Sequence, residues 1–195
     1  MIEGSEAGGH IGPVSTSVLA QEILPVAATH LPIFVAGGIG RGEAIVSYLE
    51  MGAAGAQLGT RFVCAEESIA HQEFKRAFIR ASARDAIVST QLDGRFPVIP
   101  VRGLANDGTR LFMDKQREVI ARFDAGQLDQ KQAQLEIEHF WAGALRRAVI
   151  DGDVAQGSLM AGQSVGMVKG AAPTRDILSE LIGQATHALA GRGGC

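Results

Sequence analysis

The sequence predicts an α/β protein whose strands are parallel and joined by helices. Hydrophobic residues make up 46% of the 195 positions, which supplies enough apolar side chains for a packed core. The stretch LPIFVAGGIGRGEAIVSYLEMGAAGAQLGTRF holds an apolar run, a glycine turn, an amphipathic segment and a second apolar run that ends in glycine. Strands that are apolar on both faces and connected through a helix are typical of buried parallel sheets.

The first half of the chain predicts two helices beside this sheet. The segment 19–30 has helical spacing, and we place Pro25 near its first turn, because proline inside a helix costs about 3 kcal/mol. Residues 41–51 predict the helix between the two apolar runs. Its apolar stripe consists of Ala44, Ile45, Tyr48 and Leu49. This stripe predicts that the helix packs on the sheet.

The middle of the chain predicts one more helix and then two poor strands. Helical spacing runs over 68–80. The segments DAIVSTQ and RFPVIPVRG follow, and the two prolines of the latter allow only edge or irregular strands.

From about residue 108 the sequence predicts a helical insertion. Residues 108–150 combine helical apolar spacing and high charge with one break at DAGQLD, so we expect a helical hairpin outside the sheet. Residues 151–195 return to a glycine-rich, apolar character and end in a closing helix, for which Thr174 is the expected N-cap. The chain therefore divides into an α/β part at 1–107, the insertion at 108–150, and a return loop with the closing helix at 151–195.

Charge and cysteine spacing argue against several kinds of partner. The net charge is −3 with acids and bases mixed along the chain, so we expect no nucleic-acid binding. The apolar runs are too short to span a bilayer, and the first residues lack a signal-peptide pattern, so we expect a cytoplasmic protein without membrane contact. Cys64 and Cys195 have neither metal-ligand nor CxxC spacing, so we expect no metal site and no disulfide.

Two glycine turns form the strongest candidate ligand site. Gly37 and Gly38 in VAGGIG, and Gly59 and Thr60 in QLGTRF, each follow a predicted strand, and one strand-helix unit separates them. Glycine lets backbone N–H groups approach a ligand, a helix start favours an anion, and the threonine adds a hydroxyl. The turns therefore predict a phosphate site. Glycines that only end strands are the alternative interpretation.

His10 in EGSEAGGHIG is the candidate general base. It lies in a glycine-rich loop at the ligand-facing end of a strand, and the ordinary histidine pKa of about 6.5 suits proton transfer at neutral pH. A surface histidine without a chemical role is the alternative. Glu3 and Glu6 flank it and are weaker candidates for orienting its ring or raising its pKa.

Other polar residues carry weaker signals. Gln163 and Ser164 lie between glycines in MAGQSVGMV, where they either contact a bound ligand or satisfy a turn. Cys64 has apolar neighbours, so we expect a buried thiol and not a nucleophile. The remaining histidines are interpreted as ordinary helix-face residues, namely His30, His71, His139 and His187.

The same motifs carry a resemblance to a known family. EGSEAGGHIG followed by FVAGGIGRGEAIVSYLEMGAAGAQLGTRFVCAEE resembles, in order and spacing, the nitronate monooxygenase family, formerly called 2-nitropropane dioxygenases. That family includes FMN-dependent enoyl-acyl-carrier-protein reductases. The resemblance implies a (β/α)8 TIM barrel of which this chain holds about strands 6 to 8, with FMN across its mouth and a helical subdomain inserted after strand 8.

The resemblance also implies roles for individual residues. His10 matches the active-site histidine of the family. The loops that hold the FMN phosphate match Gly37, Gly38, Gly59 and Thr60. A further loop near the flavin matches 163–166, which contains Gln163 and Ser164.

By this resemblance the chain is an FMN-dependent oxidoreductase. The implied activity is nitronate monooxygenation, in which alkyl nitronates react with O2 to give carbonyl compounds and nitrite, and His10 removes the α-proton of a neutral nitroalkane. Two alternatives keep the flavin and use NAD(P)H as electron donor: an enoyl-acyl-carrier-protein reductase and a quinone reductase. A small-molecule substrate and O2 are the expected partners, and no substrate-binding residue is assigned.

The start of the sequence is its main departure from the family. A whole (β/α)8 barrel takes about 250 residues, whereas this chain opens directly before the loop assigned to strand 6, with Met1 and Ile2 at the end of that strand. We therefore expect a C-terminal fragment of a longer protein. Open sheet edges predict a homo-oligomer or pairing with an N-terminal half. The alternative of another class is a truncated, non-catalytic fragment.

Overall fold

The computed structural model describes residues 1–192, which form two small sheets and eight α-helices. The strands are β1 (Ile2–Glu3), β2 (Gly9–His10), β3 (Phe34–Ala36), β4 (Gly55–Gln57), β5 (Ala86–Val88) and β6 (Val101–Leu104). The helices are α1 (Thr16–Ala27), α2 (Gly42–Glu50), α3 (Thr60–Val63), α4 (Gln72–Arg80), α5 (Asp107–Asp124), α6 (Gln130–His139), α7 (Ala144–Arg146) and α8 (Thr174–Arg192). Within these residues no helix is both long and apolar enough to cross a membrane.

The first sheet is parallel, with the strand order β1-β3-β4. Helix α1 lies between β1 and β3 along the chain, and α2 lies between β3 and β4. The register places Glu3 beside Ala36, and Ala36 beside Gln57, in one row across the sheet. The predicted α/β class is therefore confirmed, while the assignment to part of a barrel and the three segment boundaries stay predictions.

Helix α1 begins earlier than its spacing indicated. The hydroxyl of Ser15 accepts a hydrogen bond from the Val18 N–H and caps the helix, which then runs from Thr16 to Ala27. Pro25 consequently lies in the last turn, so its predicted place near the first turn was wrong. Its ring removes the N–H that would have donated to the Gln21 carbonyl, so the helix loses that one bond near its end.

Helix α2 is confirmed to within one residue at each end, but its apolar stripe was predicted only in part. Ala44, Ile45 and Tyr48 pack against the buried cluster on the parallel sheet, whereas Leu49 is 44% exposed. Val46 is buried instead. The reason is a second neighbour, α8, which approaches so closely that a Cβ on Gly42 would lie 2.1 Å from the Leu181 carbonyl oxygen.

The second sheet is antiparallel, with the order β2-β6-β5. Strand β6 is its middle strand, so an edge position was wrong for these residues, whereas the irregular backbone that the two prolines predicted is confirmed for the segment 97–100. The prolines lie in the segment before Val101 and remove no hydrogen bond from the ladder.

Helix α4 begins at Gln72 and not at residue 68, because the ring Nδ1 of His71 accepts from the Glu73 N–H and caps it. His71 is therefore a capping residue.

Two helices lie in the predicted hairpin, and the closing helix follows a return loop. Helices α5 and α6 enclose a buried cluster formed by Phe96, Phe112, Val119, Ala133 and Ile137. In α8, Thr174 is the first helical residue and not the N-cap. Its N–H and hydroxyl donate to the Glu67 carboxylate at 2.9 and 2.8 Å, and these bonds fix the start of α8. A hydrogen bond from the backbone of Glu67 itself, together with the two bonds from Thr174, lowers the pKa of Glu67.

Candidate active site

A cavity of about 200 Å³ opens at the carboxyl ends of the three parallel strands. We call it the strand-end cavity. Carboxyl ends of parallel strands meet at one edge of a sheet, so loops that are distant in sequence converge there. Residues from β1, from the turns after β3 and β4, and from the return loop line it, among them Glu3, Gly37, Gly38, Gln57, Gly59, Thr60, Gly162 and Ser164.

The two glycine turns supply backbone donors to this cavity. Gly37 and Gly38 have φ values of 101° and 71°, which favour glycine, and a Cβ on Gly38 would lie 2.9 Å from the Glu6 Cβ. A Cβ on Gly59 would meet nothing within 4 Å, so that glycine faces open space. The N–H groups of Gly38 and Gly59 donate to no residue within 1–192, and Thr60 begins α3 without an intrahelical acceptor.

Two hydroxyl groups complete the donor set. The Thr60 hydroxyl oxygen accepts a 2.9 Å hydrogen bond from the Gly162 N–H, which leaves its own proton free to donate. Ser164 is only 4% exposed, and its hydroxyl has no hydrogen-bond partner in the described part of the chain. The Ser164 hydroxyl still reaches the cavity surface, so it can donate to a ligand that accepts hydrogen bonds.

Glu6 holds the loop between β1 and β2. Its carboxylate oxygen Oε2 accepts from the N–H and the hydroxyl of Thr16, each at 2.9 Å. Its backbone carbonyl accepts from the Gln163 N–H at 2.9 Å. The Glu6 side chain is thus bonded to α1 and not to His10, and Gln163 fastens the return loop to this loop without lining the strand-end cavity.

Arg102 supports the same loop from the antiparallel sheet. Its guanidinium donates to the Ser5 carbonyl at 2.8 Å and to the Ala86 carbonyl at 2.5 Å, and the residue is only 9% exposed. Burial lowers the pKa of Arg102, while the nearby Glu6 charge opposes that shift. Sequence reasoning missed this residue, and a single basic residue within the strand VRGL was the available signal.

His10 faces a second, larger cavity. It lies in β2 with its backbone beside Val101, and its side chain is exposed and makes no hydrogen bond with residues 1–192. This second cavity has a volume of about 380 Å³. We call it the apolar cavity because most of its wall is hydrophobic, including Ile87, Val98, Phe112, Met113, Trp141 and Leu159.

Met160 lines both cavities, so they are neighbours. The structure therefore brings together five of the predicted site residues in the strand-end cavity and sets His10 on the wall of the adjoining apolar cavity. The five are Gly37, Gly38, Gly59, Thr60 and Ser164.

Charges around the strand-end cavity are sparse. Glu3 is the charged residue in its lining, and no Lys or Arg among residues 1–192 lines it. The Glu3 carboxylate forms no hydrogen bond or ion pair within the described residues, so it does not orient His10. An anion in this cavity would be held by uncharged hydrogen-bond donors, namely backbone N–H groups and hydroxyls.

The Cys64 thiol is fully buried, as predicted. Burial raises the pKa of Cys64 to about 11, and its Sγ lies 3.7 Å from the Lys75 carbonyl. The Lys75 ammonium is itself buried and donates to the Ala65 carbonyl at 2.6 Å.

Residues 1–192 contain no group of three or more His, Cys, Asp or Glu that could hold a metal ion. Cys195 lies outside the described residues.

Comparison with protein families matches residues 1–184 to the model described as nitronate monooxygenase. A Staphylococcus saprophyticus protein named as a probable nitronate monooxygenase is 30% identical over 179 residues, which cover 86% of this chain and 45% of that protein. A Mycobacterium tuberculosis protein, named as the dehydrogenase of a hydroxylated indene-carboxyl-CoA, is 38% identical over 95 residues, or 48% of this chain and 27% of that protein.

A solved structure supports the same relationship. FabK from Thermotoga maritima aligns with a TM-score of 0.81 and 31% identity, over 98% of this chain and 55% of its own. The chain spans less than half the length of the two curated relatives and about half that of the solved structure.

Proposed function

Because the chain belongs to the nitronate monooxygenase family, we propose that it forms part of an FMN-dependent oxidoreductase that oxidises alkyl nitronates with O2 to carbonyl compounds and nitrite. The observation that carries this proposal is the adjacency of the two cavities. The strand-end cavity offers hydrogen-bond donors, and the apolar cavity beside it carries His10, with Met160 between them.

The strand-end cavity suits the phosphate end of FMN. The N–H groups of Gly38, Gly59 and Thr60 and the hydroxyls of Thr60 and Ser164 would hold the phosphate, and Gly37 would shape the turn. A bound flavin supplies the redox chemistry, because it accepts electrons from the substrate and passes them to O2. The unpartnered Ser164 hydroxyl supports this assignment, since a phosphate oxygen would satisfy it.

His10 would act on the proton of a neutral nitroalkane. Its ring has no hydrogen-bond partner within residues 1–192, so a neutral imidazole keeps one nitrogen lone pair available. Transfer of the α-proton to that nitrogen leaves the nitronate anion, whose charge rests on the two nitro oxygens. The apolar wall around His10 would hold the alkyl chain and keep water away from the reacting carbon.

We also propose that β1, β3 and β4 are the last three strands of a (β/α)8 barrel. Their parallel order follows the chain, as consecutive barrel strands do. Within the described residues β1 and β4 each pair on one side only, so their free edges would pair with an N-terminal half or with a second copy of the chain.

The test is retention of flavin followed by turnover. We expect the purified chain, mixed with FMN and desalted, to keep a visible flavin spectrum, and Ser164→Ala to reduce retention. Ser179→Ala is a matched control, because Ser179 lies in α8 and does not line the cavity. Nitrite release from propyl-2-nitronate in air then tests the reaction. An FMN-loaded chain that releases no nitrite would contradict the nitronate assignment.

A reductase that acts on a thioester is the second candidate. The volume and apolar wall of the cavity beside His10 favour it, because nitronates with short chains would leave much of that space empty. The Mycobacterium tuberculosis relative is named for a CoA thioester substrate. Oxidation of NADH or NADPH that depends on an added enoyl thioester would support this candidate, and dependence on an added quinone would support a quinone reductase.

A further inference from the structure

The apolar cavity beside His10 contains two hydrogen-bond donors that the described part of the protein does not use. The Ser158 hydroxyl and the indole N–H of Trp141 belong to its lining, and neither has a hydrogen-bond partner in residues 1–192. Within these residues the only unpaired polar side-chain atom sealed from solvent is the Oε1 of Gln134, so both donors reach the cavity surface. They can therefore donate to a ligand that accepts hydrogen bonds.

The backbone places Ser158 on the same wall as His10 but far from it. His10 and Met160 pair with residues of β6 that are two positions apart, so their side chains share one face. Leu159 is 4% exposed and packs into the core, so Met160 and Ser158 on either side of it point the other way, into the cavity. At about 3.3 Å per residue, His10 and Ser158 are based about 13 Å apart.

Trp141 lies near Ser158 in the structure. The Ser158 N–H donates to the Ala144 carbonyl at 3.1 Å, and the Ala144 N–H donates to the Trp141 carbonyl at 3.0 Å. The indole ring packs against Phe112, with 5.5 Å between the ring centroids, and this contact restrains its orientation. The cavity thus carries His10 at one end and two donors at the other, which we call the donor end.

Charge decides which acceptor fits the donor end. Glu138 lines the cavity three residues before Trp141. Its carboxylate accepts from the Gln134 amide at 2.8 Å and forms no ion pair within residues 1–192. No Lys or Arg of the described residues lines the cavity. A carboxylate at the donor end would therefore be repelled, whereas a neutral carbonyl oxygen could accept from both donors without that repulsion.

We propose that Ser158 and Trp141 bind a neutral carbonyl group in the tail of the substrate, and that Glu138 excludes a carboxylate from the same place. The substrate is then an apolar chain with its reacting carbon near His10 and a ketone, ester or amide carbonyl toward its other end. The identity of the reacting group rests on the proposed function. Ser158, Trp141 and Glu138 are specificity residues in this assignment.

The fluorescence of Trp141 tests this assignment, because it is the single tryptophan of the chain and lines the cavity. The full chain is titrated with 2-octanone, with 2-chlorooctane, which has a similar shape and is a poor acceptor, and with octanoate. Ser158→Ala should weaken 2-octanone about two- to tenfold, as expected for one hydrogen bond, and leave 2-chlorooctane unchanged. Glu138→Gln should tighten octanoate about two- to fivefold and leave 2-octanone unchanged.

Two further variants separate the donor end from the rest of the cavity. Thr90→Val removes another hydroxyl of the lining that has no partner in residues 1–192. Thr90 lies at the His10 end, next to Ser89, whose N–H donates to the Val101 carbonyl at 2.8 Å, so all three probes should bind as before. Trp141→Phe keeps an aromatic ring and loses the N–H. Calorimetry replaces fluorescence for this variant, and 2-octanone should bind more weakly.

The outcomes distinguish this inference from the proposed function. The inference is overturned if the wild-type chain does not respond to 2-octanone, or if Ser158→Ala leaves 2-octanone unchanged or weakens both neutral probes equally. A selective loss of 2-octanone in a chain that releases no nitrite supports the carbonyl site and contradicts the nitronate reaction. In a chain that does release nitrite, kcat/KM for linear nitro ketones should peak at one separation of the two groups, and Ser158→Ala should remove that peak.

Discussion

The amide N–H of Gly162 donates a 2.9 Å hydrogen bond to the hydroxyl oxygen of Thr60, across 102 positions of the chain. This bond joins the return loop to the turn after β4 and orients the threonine hydroxyl. Thr60→Val removes the acceptor and keeps the shape of the side chain. We expect the free energy of unfolding to fall by about 1–3 kcal/mol, because a partly buried N–H loses its partner.

FMN affinity should fall at least tenfold in Thr60→Val, since a donor to the phosphate is lost as well. Thr60→Ser keeps the hydroxyl and should retain most of both properties. Urea unfolding and flavin titration measure the two effects. Equal behaviour of the valine and serine variants would show that the hydroxyl plays no part.

The neighbouring positions of the two glycine turns could be predicted from the sequence. Parallel strands linked by helices bring their carboxyl ends to one edge, so VAGGIG and QLGTRF had to lie side by side. The place of Ser164 could not be predicted this way. It depends on the bonds from Gly162 to Thr60 and from Gln163 to Glu6, which have no local sequence signal.

The separation of His10 from the glycine turns has a similar cause. The loop around it suggested a flexible segment, whereas Gly9 and His10 pair with β6 in an antiparallel sheet. Strand β2 has two residues, too few to show the alternation of apolar and polar side chains that marks a strand in a sequence. Its partner, β6, follows a segment rich in proline. The pairing of such a short strand is decided by tertiary packing, including the Arg102 contact to Ser5.

Thr16 connects α1 to the turn after β3. Its hydroxyl lies 2.9 Å from the Glu6 carboxylate and 3.1 Å from the Gly37 carbonyl, and the residue is only 2% exposed. We expect Thr16→Val to lower the free energy of unfolding by about 1–3 kcal/mol, because a part-buried carboxylate oxygen loses a donor. FMN binding should weaken as the turn shifts.

Chemical denaturation and flavin titration check the effects of this substitution. Ser17→Ala is a matched control, because the Ser17 hydroxyl is exposed and makes a single long contact, at 3.3 Å, with the Ser15 hydroxyl. A valine variant with wild-type stability would show that the Glu6 contact is energetically neutral.

The Cys64 thiol should be inert in the folded chain. Its pKa of about 11 means that about 0.1% is thiolate at pH 8, and its exposed fraction is zero. In a Cys195→Ser background, Ellman's reagent should react with no thiol under native conditions and with one equivalent in guanidinium chloride. Fast reaction of the native protein would contradict the burial of Cys64.

His10→Ala separates proton transfer from the later steps. Turnover of the neutral nitroalkane should fall by about 10²- to 10⁴-fold, which is the usual contribution of a positioned base. Turnover of the preformed nitronate should change little, because its α-proton is already removed. FMN retention should also persist, since His10 does not line the strand-end cavity. Equal losses with both substrates would assign His10 a binding role and not that of a base.

The apolar cavity predicts how turnover depends on chain length. Each methylene moved from water into an apolar site contributes about 0.8 kcal/mol, or about a fourfold gain in kcat/KM. We therefore expect kcat/KM to rise along a series of linear primary nitronates from ethyl to hexyl.

Met113→Trp places a larger side chain in the cavity and should make this rise with chain length smaller. Leu111→Trp is the matched control, because Leu111 lies on the same helix, is 43% exposed and does not line the cavity. A chain-length profile unchanged by Met113→Trp would mean that the alkyl group binds elsewhere and that the cavity beside His10 serves another ligand.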